Sequence, residues 1–473
     1  MHDYFDLIIV GAGPASIFTA YEAIRLDPKL KICILEKGSE LSKRVCPISA
    51  GKVKNCIKCK NCSIMHGFGG AGAFSDGKYN ITNNFGGKLY EHVGEEKAIE
   101  LMEYVDTINL SFGGEGTKMY STSDTPLRKL ARQHGLNLLD AKVRHLGTDV
   151  NYKVLENLYN HLINAGVTIK FNTEVLDVED YSVFKDDTSK FKLRFKVIYR
   201  TELEEFYYFA TNLVVAAGRS GSKWIGNLCS TLGIKTTSNK VDIGVRVELP
   251  AEIFEHITSD VYEGKLVFKT KKYSDLVRTF CMNPHGIVVN ENTRGIITAN
   301  GHSYNDPSMY SNNTNFALLV SNHFTEPFEN SNEYGESIAR LSNMLGGGLL
   351  VQQFGDLIKG QRSTHKRMQK GFVKPTLSAT PGDLSLVLPK RQLDDIIEMI
   401  YALDKIAPGT ANPDTLLYGV EVKFYNSEVE VDDNLETKIK GLYIIGDGSG
   451  VTHSLSHASA SGIHVARHIV SNK

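Results

Sequence analysis

Gly11-Ala12-Gly13-Pro14-Ala15-Ser16 follows the apolar run Asp6-Leu7-Ile8-Ile9-Val10 without a break, and Glu36 closes the next apolar run, Lys31-Ile32-Cys33-Ile34-Leu35. Read as strand, tight turn, helix, strand and carboxylate, this order suits a dinucleotide. Gly11 permits the turn, Gly13 lets the backbone approach a pyrophosphate at the positive end of a helix, and Glu36 stands where it can accept hydrogen bonds from a ribose. Ser16 takes the place usual for a third Gly or Ala and is still small enough for close helix–strand packing. A second group is built from sulfur. Cys56, Cys59 and Cys62 are spaced three residues apart, with Cys46-Pro47 upstream. Three thiolates at that spacing can converge on one centre, with Cys46 as a fourth ligand, an arrangement closer to an iron–sulfur site than to zinc with its two separated pairs. Two of the thiols could instead form a disulfide that exchanges electrons, or the loop could have no chemical role.

Histidines supply the third set, since they donate or accept a proton near neutral pH. His453 and His457 stand between Asp447 and a helical pattern, while His285 and Arg278 lie together in one segment of the chain's middle. Arg362 could hold a carboxylate or phosphate. Each of these has an ordinary structural alternative, as a cap, a turn anchor or a hydrogen-bonded core residue.

The elements that must hold these groups can be read from periodicity. A helix is expected from Ile17 to Arg25, an amphipathic helix from Val154 to Ala165, and a last helix from about Leu455 to Val470. Strands are expected at Val167–Phe171 and Thr173–Val175, in a meander over 191–210, at Leu213–Gly218 and at Gly441–Asp447. From Val241 the pattern changes to the alternation Asp242-Ile243-Gly244-Val245-Arg246-Val247-Glu248, and it returns to the first type only near residue 430. The Asn- and Ser-rich stretch 303–315 reads as a loop. The expected organisation is α/β: a Rossmann-like nucleotide domain made of 1–240 and 425–473, carrying the Cys-rich loop 46–62, with an inserted α+β substrate domain at 241–424.

Composition limits the alternatives. The 473 residues are 41% hydrophobic, enough for two cores, and 53 Lys and Arg balance 54 Asp and Glu. With no long basic run, a nucleic-acid partner is not expected. The first residues show no charged stretch ahead of an apolar one, and the apolar stretches fall far short of a membrane span, so a soluble cytoplasmic protein is the expectation. In that compartment four cysteines in one loop suggest metal or redox chemistry over a disulfide framework.

The pairing of the glycine turn with the late Gly446-Asp447 resembles the glutathione-reductase-like class of FAD proteins. That resemblance implies FAD as cofactor, Asp447 on its ribityl chain, and the backbone of Val175 beside the adenine. Gly67-Phe68-Gly69-Gly70-Ala71-Gly72-Ala73-Phe74-Ser75-Asp76-Gly77-Lys78, Arg278–Gly286, Gly346–Gly348, Gly355–Leu357, Gly360–Thr364 and Pro381–Leu384 further resemble the uncharacterised FAD-dependent dehydrogenases of bacteria. In the second of these segments the family commonly has Cys and Gly where Asn283 and His285 stand here. By this resemblance the cofactor contacts extend to Lys37, Arg44, Gly70, Ala71, Gly72, Ala217, Gly218, Ser461 and Gly462, and at least one of His453 and His457, between Asp447 and the last helix, is expected near the isoalloxazine. The dipole of the last helix would favour the charge of reduced flavin if its N-terminus meets the ring.

The function expected is an oxidoreductase that moves hydride or electrons between FAD and a small organic substrate. No second glycine fingerprint marks a separate nicotinamide domain, so NAD(P)H, if it is the donor, would meet the flavin directly. Two other readings stay open: an electron-transfer or redox-sensing module working with a protein such as ferredoxin, and a flavin-dependent RNA-modifying enzyme. The same fold also hosts monooxygenases.

Overall fold

The computed structural model describes residues 4–47, 50–53, 57, 59–75, 77–181, 193–202, 204–293, 295–304 and 307–473. The chain forms two compact units. The first takes Met1–Met119, Lys142–Thr237 and Asn426–Lys473, the second Tyr120–Ala141 and Ser238–Tyr425.

In the first unit the wholly apolar run Leu7-Ile8-Ile9-Val10 demands cover on both faces, and it finds this at the centre of a parallel sheet. Tyr4–Val10 runs parallel to Ile32–Leu35 on one side and Glu205–Val215 on the other. Thr168–Lys170 extends the sheet beyond Ile32–Leu35, and Leu442–Ile444 pairs in parallel with the end of Glu205–Val215. The earlier half of that long strand carries an antiparallel meander, Phe195–Arg200 and Glu174–Asp180.

Two helices lie against each other in this unit, Pro14–Leu26 and Leu455–Ser471. Their approach is close enough that a Cβ on Gly462 would stand 2.2 Å from the Ala15 carbonyl oxygen and 2.9 Å from the Thr19 nitrogen. Ser461 is fully buried and donates its hydroxyl to the Ala458 carbonyl at 2.7 Å. A buried carboxylate fastens the pair: Glu22 accepts from Arg25 of its own helix, from Arg467 of the other, and from Tyr104 of the helix Glu95–Asn109. Burial alone would raise the Glu22 carboxyl, but the two guanidinium groups bring it below its ordinary range.

The second unit is built on an eight-stranded sheet ordered Thr380–Pro381, Leu350–Gln353, Leu416–Phe424, Val241–Pro250, Asn313–Asn322, Leu276–Asn283, Leu266–Lys269 and Leu136–Leu138. Neighbours run antiparallel except the first two. Side chains alternate across a strand. Val241, Ile243, Val245, Val247 and Leu249 therefore share one face, where they pack with Phe254 and Ile257 of the helix Ala251–Val261 and with Ile396 and Met399 of Lys390–Asp404. Asp242, Arg246 and Glu248 occupy the opposite face and are fully buried.

Two expectations from sequence need correction. Residues 120–141, read as part of the nucleotide domain, belong to the second unit, because Leu136–Leu138 pairs with Leu266–Lys269. That pairing spans well over a hundred residues and has no local signal. The stretch 303–315, read as a loop, ends inside the strand Asn313–Asn322, whose Asn side chains serve buried hydrogen bonds. Among the described residues no helix is long and apolar enough to cross a membrane.

Candidate functional site

The site grows from the turn after the first strand. Gly11 has φ +96°, and a Cβ there would stand 2.8 Å from the Ala216 carbonyl oxygen, so the strand end and Ala216-Ala217 can lie together only with glycine. Gly13 is different: a Cβ there meets nothing within 4 Å. It is the N-cap of Pro14–Leu26 and supplies no side-chain cap, Pro14 opens the helix, and no acidic residue stands in the first turn. The unpaired N–H groups of such a start, with the helix dipole behind them, form an anion cradle.

Three further segments converge on this cradle. The loop 67–72 is joined to the turn by Gly69 N–H donating to the Ala12 carbonyl at 2.8 Å. Within that loop Gly70 abuts Gly13, and Gly72 lies between Pro14 and Leu455, which brings the starts of both helices to one place. Gly446 follows Leu442–Ile444 with φ +74° and its Cβ position is 3.3 Å from the Ala15 methyl. Gly218, like Gly13, has open space where a side chain would be.

Glu36 is placed as expected but is busier than expected. Its Oε1 accepts from Gly38 N–H at 2.7 Å and Gly67 N–H at 2.9 Å, and its Oε2 accepts from Ala12 N–H at 2.8 Å. Since a carboxylate has about four acceptor positions, three are taken by the protein and one on Oε2 remains for a ligand hydroxyl. Glu36 therefore also ties the turn to the loop 67–72. Arg44 works on the same loop. It is almost fully buried, donates to the carbonyls of Ser63, Ile64 and Phe68, and lies over the Phe74 ring. Burial pushes its guanidinium down to about 10. Lys37 forms an ion pair with Glu174 at 2.8 Å, and Val175 packs its side chain into the core beside Leu35 and Ala210. Ala71 is exposed at the loop's surface. Of the two residues expected at the cofactor, Gly462 admits the Ala15 carbonyl of the other helix, and Ser461 donates within its own helix to Ala458.

At the start of Leu455–Ser471, Asp447 is half-buried, forms an ion pair with Arg219 Nε at 3.2 Å and meets His453 Nδ1 at 3.2 Å. Asn426 holds its backbone by donating to the Asp447 carbonyl at 2.6 Å. Arg219 was not foreseen; it follows Gly218 at a strand end and belongs to no spacing pattern. His457 is fully buried and donates Nε2–H to the Thr82 carbonyl at 2.8 Å, which leaves Nδ1 as an acceptor with no hydrogen-bond partner among the described residues. Thr452 Oγ1 and Ser456 Oγ, both just upstream, are likewise buried and without a hydrogen-bond partner among the described residues. The Gly86-Gly87 turn packs onto this ring and pairs with Thr452. A Gly-Gly pair is a legible turn signal that the sequence reading passed over.

Burial takes the His457 and His464 imidazoles down to about 4 each, so both are neutral at physiological pH. A base whose folded pKa is depressed gives stability that is full above its unfolded value, near 6.5, and is lost as pH falls toward 4. His464→Gln removes one such site, whose Nε2–H donates to the Asp433 carbonyl. The buried carboxyls of opposite sign, Glu421 and Asp395, are unchanged in the variant and cancel in the comparison. The stability gap between wild type and His464→Gln should therefore move in the variant's favour by about 1–2 kcal/mol between pH 6.5 and 5. Urea titrations at the two pH values measure it, and a gap independent of pH would refute it.

The remaining candidates have other surroundings. In the second unit Arg278 is paired with Asp242 and donates to the Tyr425 hydroxyl at 2.7 Å. His285, in a turn with φ 49°, stacks on Tyr310 with ring centroids 5.2 Å apart and makes a 3.2 Å contact with the Ser311 carbonyl. Arg362 gives its carbonyl to Arg367, and the next residue, Ser363, donates to the buried Asp356 at 2.7 Å. Of the cysteine group, Cys46 and Cys62 are half-buried, Cys59 is exposed, and Cys56 lies outside the described residues. Among the described residues no three His, Cys, Asp or Glu side chains come together as metal ligands, so the expected iron–sulfur or zinc centre has no structural support.

The fold is α/β, with an uncapped helix start at the glycine turn of the first unit and a second, sheet-based unit. Residues 240–424 match the family model described as FAD-dependent protein, C-terminal domain-like. An uncharacterized protein of Clostridium beijerinckii is 26% identical across 98% of this chain and 80% of its own length. Among solved structures, a formate oxidase is similar with a TM-score of 0.46, 12% identity and coverage of 100% of this chain and 99% of its own. A glycine oxidase from Geobacillus kaustophilus has a TM-score of 0.39 at 12% identity, covering 100% of this chain and 95% of its own.

Proposed function

We propose that this protein is an FAD-dependent oxidoreductase of the glutathione-reductase-like class, moving hydride or electrons between the flavin and a small organic substrate. The observation that carries the reading is the convergence of Gly13, Glu36, the loop 67–72 and Gly446-Asp447 on one uncapped helix start. The family match over 240–424 supports it independently, from the other unit.

The residues present fit FAD. Open Cβ positions at Gly13 and Gly218 leave room for a ligand, and the helix start offers N–H donors to a pyrophosphate. Glu36 keeps one acceptor position for a ribose hydroxyl. Asp447 is an acceptor for a polyol chain, and Arg219 and His453 fix its orientation. FAD, when bound, supplies the redox chemistry itself. The chain's part is to bind, orient and manage protons. His453, half-buried and held by Asp447, is the group placed to hold or release one. His457, neutral and with its Nδ1 unsatisfied, offers an acceptor in the same region. NAD(P)H meeting the flavin directly is the donor proposed.

The protein should purify with stoichiometric flavin that denaturation releases as FAD, and NADH or NADPH should bleach its visible bands under anaerobic conditions. Asp447→Ala should lower the flavin content with the fold intact by circular dichroism. Protein that neither retains flavin nor takes up added FAD would end this reading.

A further inference from the structure

One segment of the second unit carries charge of a single sign. Between Leu357 and Gly382 stand six cations, Lys359, Arg362, Lys366, Arg367, Lys370 and Lys374, and no carboxylate, in a chain whose charges otherwise balance. The segment's apolar anchors, Leu357, Met368 and Val373, are buried in the unit's cores. Its cations face outward: all six are exposed except Arg367, which is half-buried. A buried carboxylate holds the segment in shape. Asp356 accepts from Ser363 Oγ at 2.7 Å, Gln361 Nε2 at 2.8 Å and Arg367 Nε at 3.0 Å. Arg367 also donates to the Arg362 carbonyl, which sets Arg362 beside the helix His365–Lys370. On that helix Lys366 and Lys370 are four positions apart and share a face. Lys374 curls back to its end, donating to the Gln369 and Gly371 carbonyls at 3.1 and 2.8 Å. The cations are therefore gathered in space as well as in sequence.

The carboxylates that meet this segment lie beneath it or are committed. Asp356 and Glu248 are buried, and Glu248 takes the Thr376 hydroxyl just past Lys374. Asp414 accepts from Gln353 Nε2 and from the Phe372 N–H, and Asp383 caps the turn Leu384–Leu386. Lys359, Arg362, Lys366 and Lys370 form no ion pair among the described residues. The outward field is thus positive. Two apolar side chains break the same surface, Ile358 at 46% exposed and Phe372 at 54%. Lysine outnumbers arginine four to two here, and one arginine is tied to Asp356. An ammonium is a point charge suited to a diffuse negative surface, whereas the planar guanidinium suits discrete carboxylates and phosphates. Protein interfaces are poor in lysine. A nucleic-acid strand stacks its bases on several aromatic rings, and Phe372 is the segment's one Phe, Tyr or Trp. Clustered lysines with apolar side chains able to enter between headgroups match an anionic bilayer surface, and such a contact needs no spanning helix.

We propose that the surface formed by residues 358–374 of the second unit docks on an anionic lipid surface, its lysines over the headgroups and Ile358 and Phe372 entering between them. The inference goes beyond the flavin reading and does not depend on it.

The test is sedimentation of the purified protein with vesicles of phosphatidylcholine alone, and of phosphatidylcholine mixed equally with phosphatidylglycerol, at low and at raised salt. The protein should sediment with the mixed vesicles and stay in solution with the neutral ones. Raised salt should weaken the binding, because it screens exposed charges. Lys366→Glu combined with Lys370→Glu should lower the partition at least about tenfold, since each lysine near such a surface is worth about fivefold. Phe372→Ser should lower it about tenfold at raised salt, where apolar insertion carries more of the binding. Lys97→Glu, at an exposed lysine of the first unit, should change little. Melting temperatures of the variants guard against loss of fold. Equal sedimentation with both kinds of vesicle, none with either, or a partition unchanged in the double variant or in Phe372→Ser would overturn the inference. So would single-stranded RNA or polyglutamate that binds through Lys366 and Lys370 while anionic vesicles do not. Flavin content does not enter these outcomes, so this inference and the flavin reading fail separately.

Discussion

Gly13→Val should fold normally and fail to hold flavin. The backbone at Gly13, with φ −77° and ψ −177°, is extended and open to any residue, and a Cβ there meets no atom within 4 Å. Nothing in the protein itself therefore requires glycine. A pyrophosphate lying on the helix start would require it, because a branched side chain would hold the phosphates away from the N–H donors. Losing one or two charge-assisted hydrogen bonds at about 1.5–3 kcal/mol each should weaken flavin binding at least tenfold, and more plainly a hundredfold. Flavin content and quenching of added FAD measure this, with the apoprotein's melting temperature as control. Gly11→Val makes the contrast, since its positive φ and the 2.8 Å approach to Ala216 should cost stability whether or not cofactor is present. A Gly13→Val protein with full flavin would remove the cradle from the mechanism.

The largest effect on stability is expected at Arg246, which is fully buried in the second unit's central strand. Its guanidinium grips Glu421 with bonds of 2.7 and 3.1 Å and also donates to the Cys281 carbonyl at 2.8 Å and to Asn315 Oδ1 at 3.1 Å. Arg246→Met keeps much of the volume but strands Glu421. Removing one member of a buried pair costs about 3–5 kcal/mol, so the urea midpoint should fall far. Burial already lifts the Glu421 carboxyl to about 7 against the pull of Arg246. Without the arginine it will stay protonated to higher pH, and a raised carboxyl pKa gives stability that is kept in acid and lost as pH rises. The deficit of Arg246→Met should therefore be smaller at pH 5.5 than at pH 8, and Glu421→Gln added to it should recover part of the loss. A small deficit, equal at both pH values, would mean the pair contributes little.

Sequence made the nucleotide half readable because its demands are local. A four-residue apolar strand, a glycine turn and a carboxylate at the next strand's end each leave a mark within a few positions, and in the structure Glu36 meets the turn between Gly11 and Gly13 through the Ala12 N–H. What the reading missed depends on contacts between distant segments. Arg44 looked like a cofactor ligand and instead binds three carbonyls of a loop some twenty residues on. Gly462 entered as a cofactor contact through the family resemblance, and in the structure the Ala15 carbonyl excludes a side chain there. His457 shows the same limit: burial, which no spacing rule reports, decides that it is neutral. On the other unit's central strand the alternation Asp242, Arg246, Glu248 was read as a strand. The structure buries the face that carries these three, and its charges are met by partners on strands that the pattern alone could not bring alongside.

The first unit's chain is interrupted by the second, and this orders events during synthesis. Ser238–Tyr425 must leave the ribosome before Leu455–Ser471 exists, so Pro14–Leu26 waits without the helix that Gly462 and Arg467 fasten to it. At about 5–20 residues per second the wait lasts roughly twenty to ninety seconds. For that interval the nascent chain carries a helix with one side bare, the Glu22 carboxylate without its second guanidinium, and a cofactor cradle still lacking Asp447. Closing the first unit is in this sense the last step of the chain's synthesis.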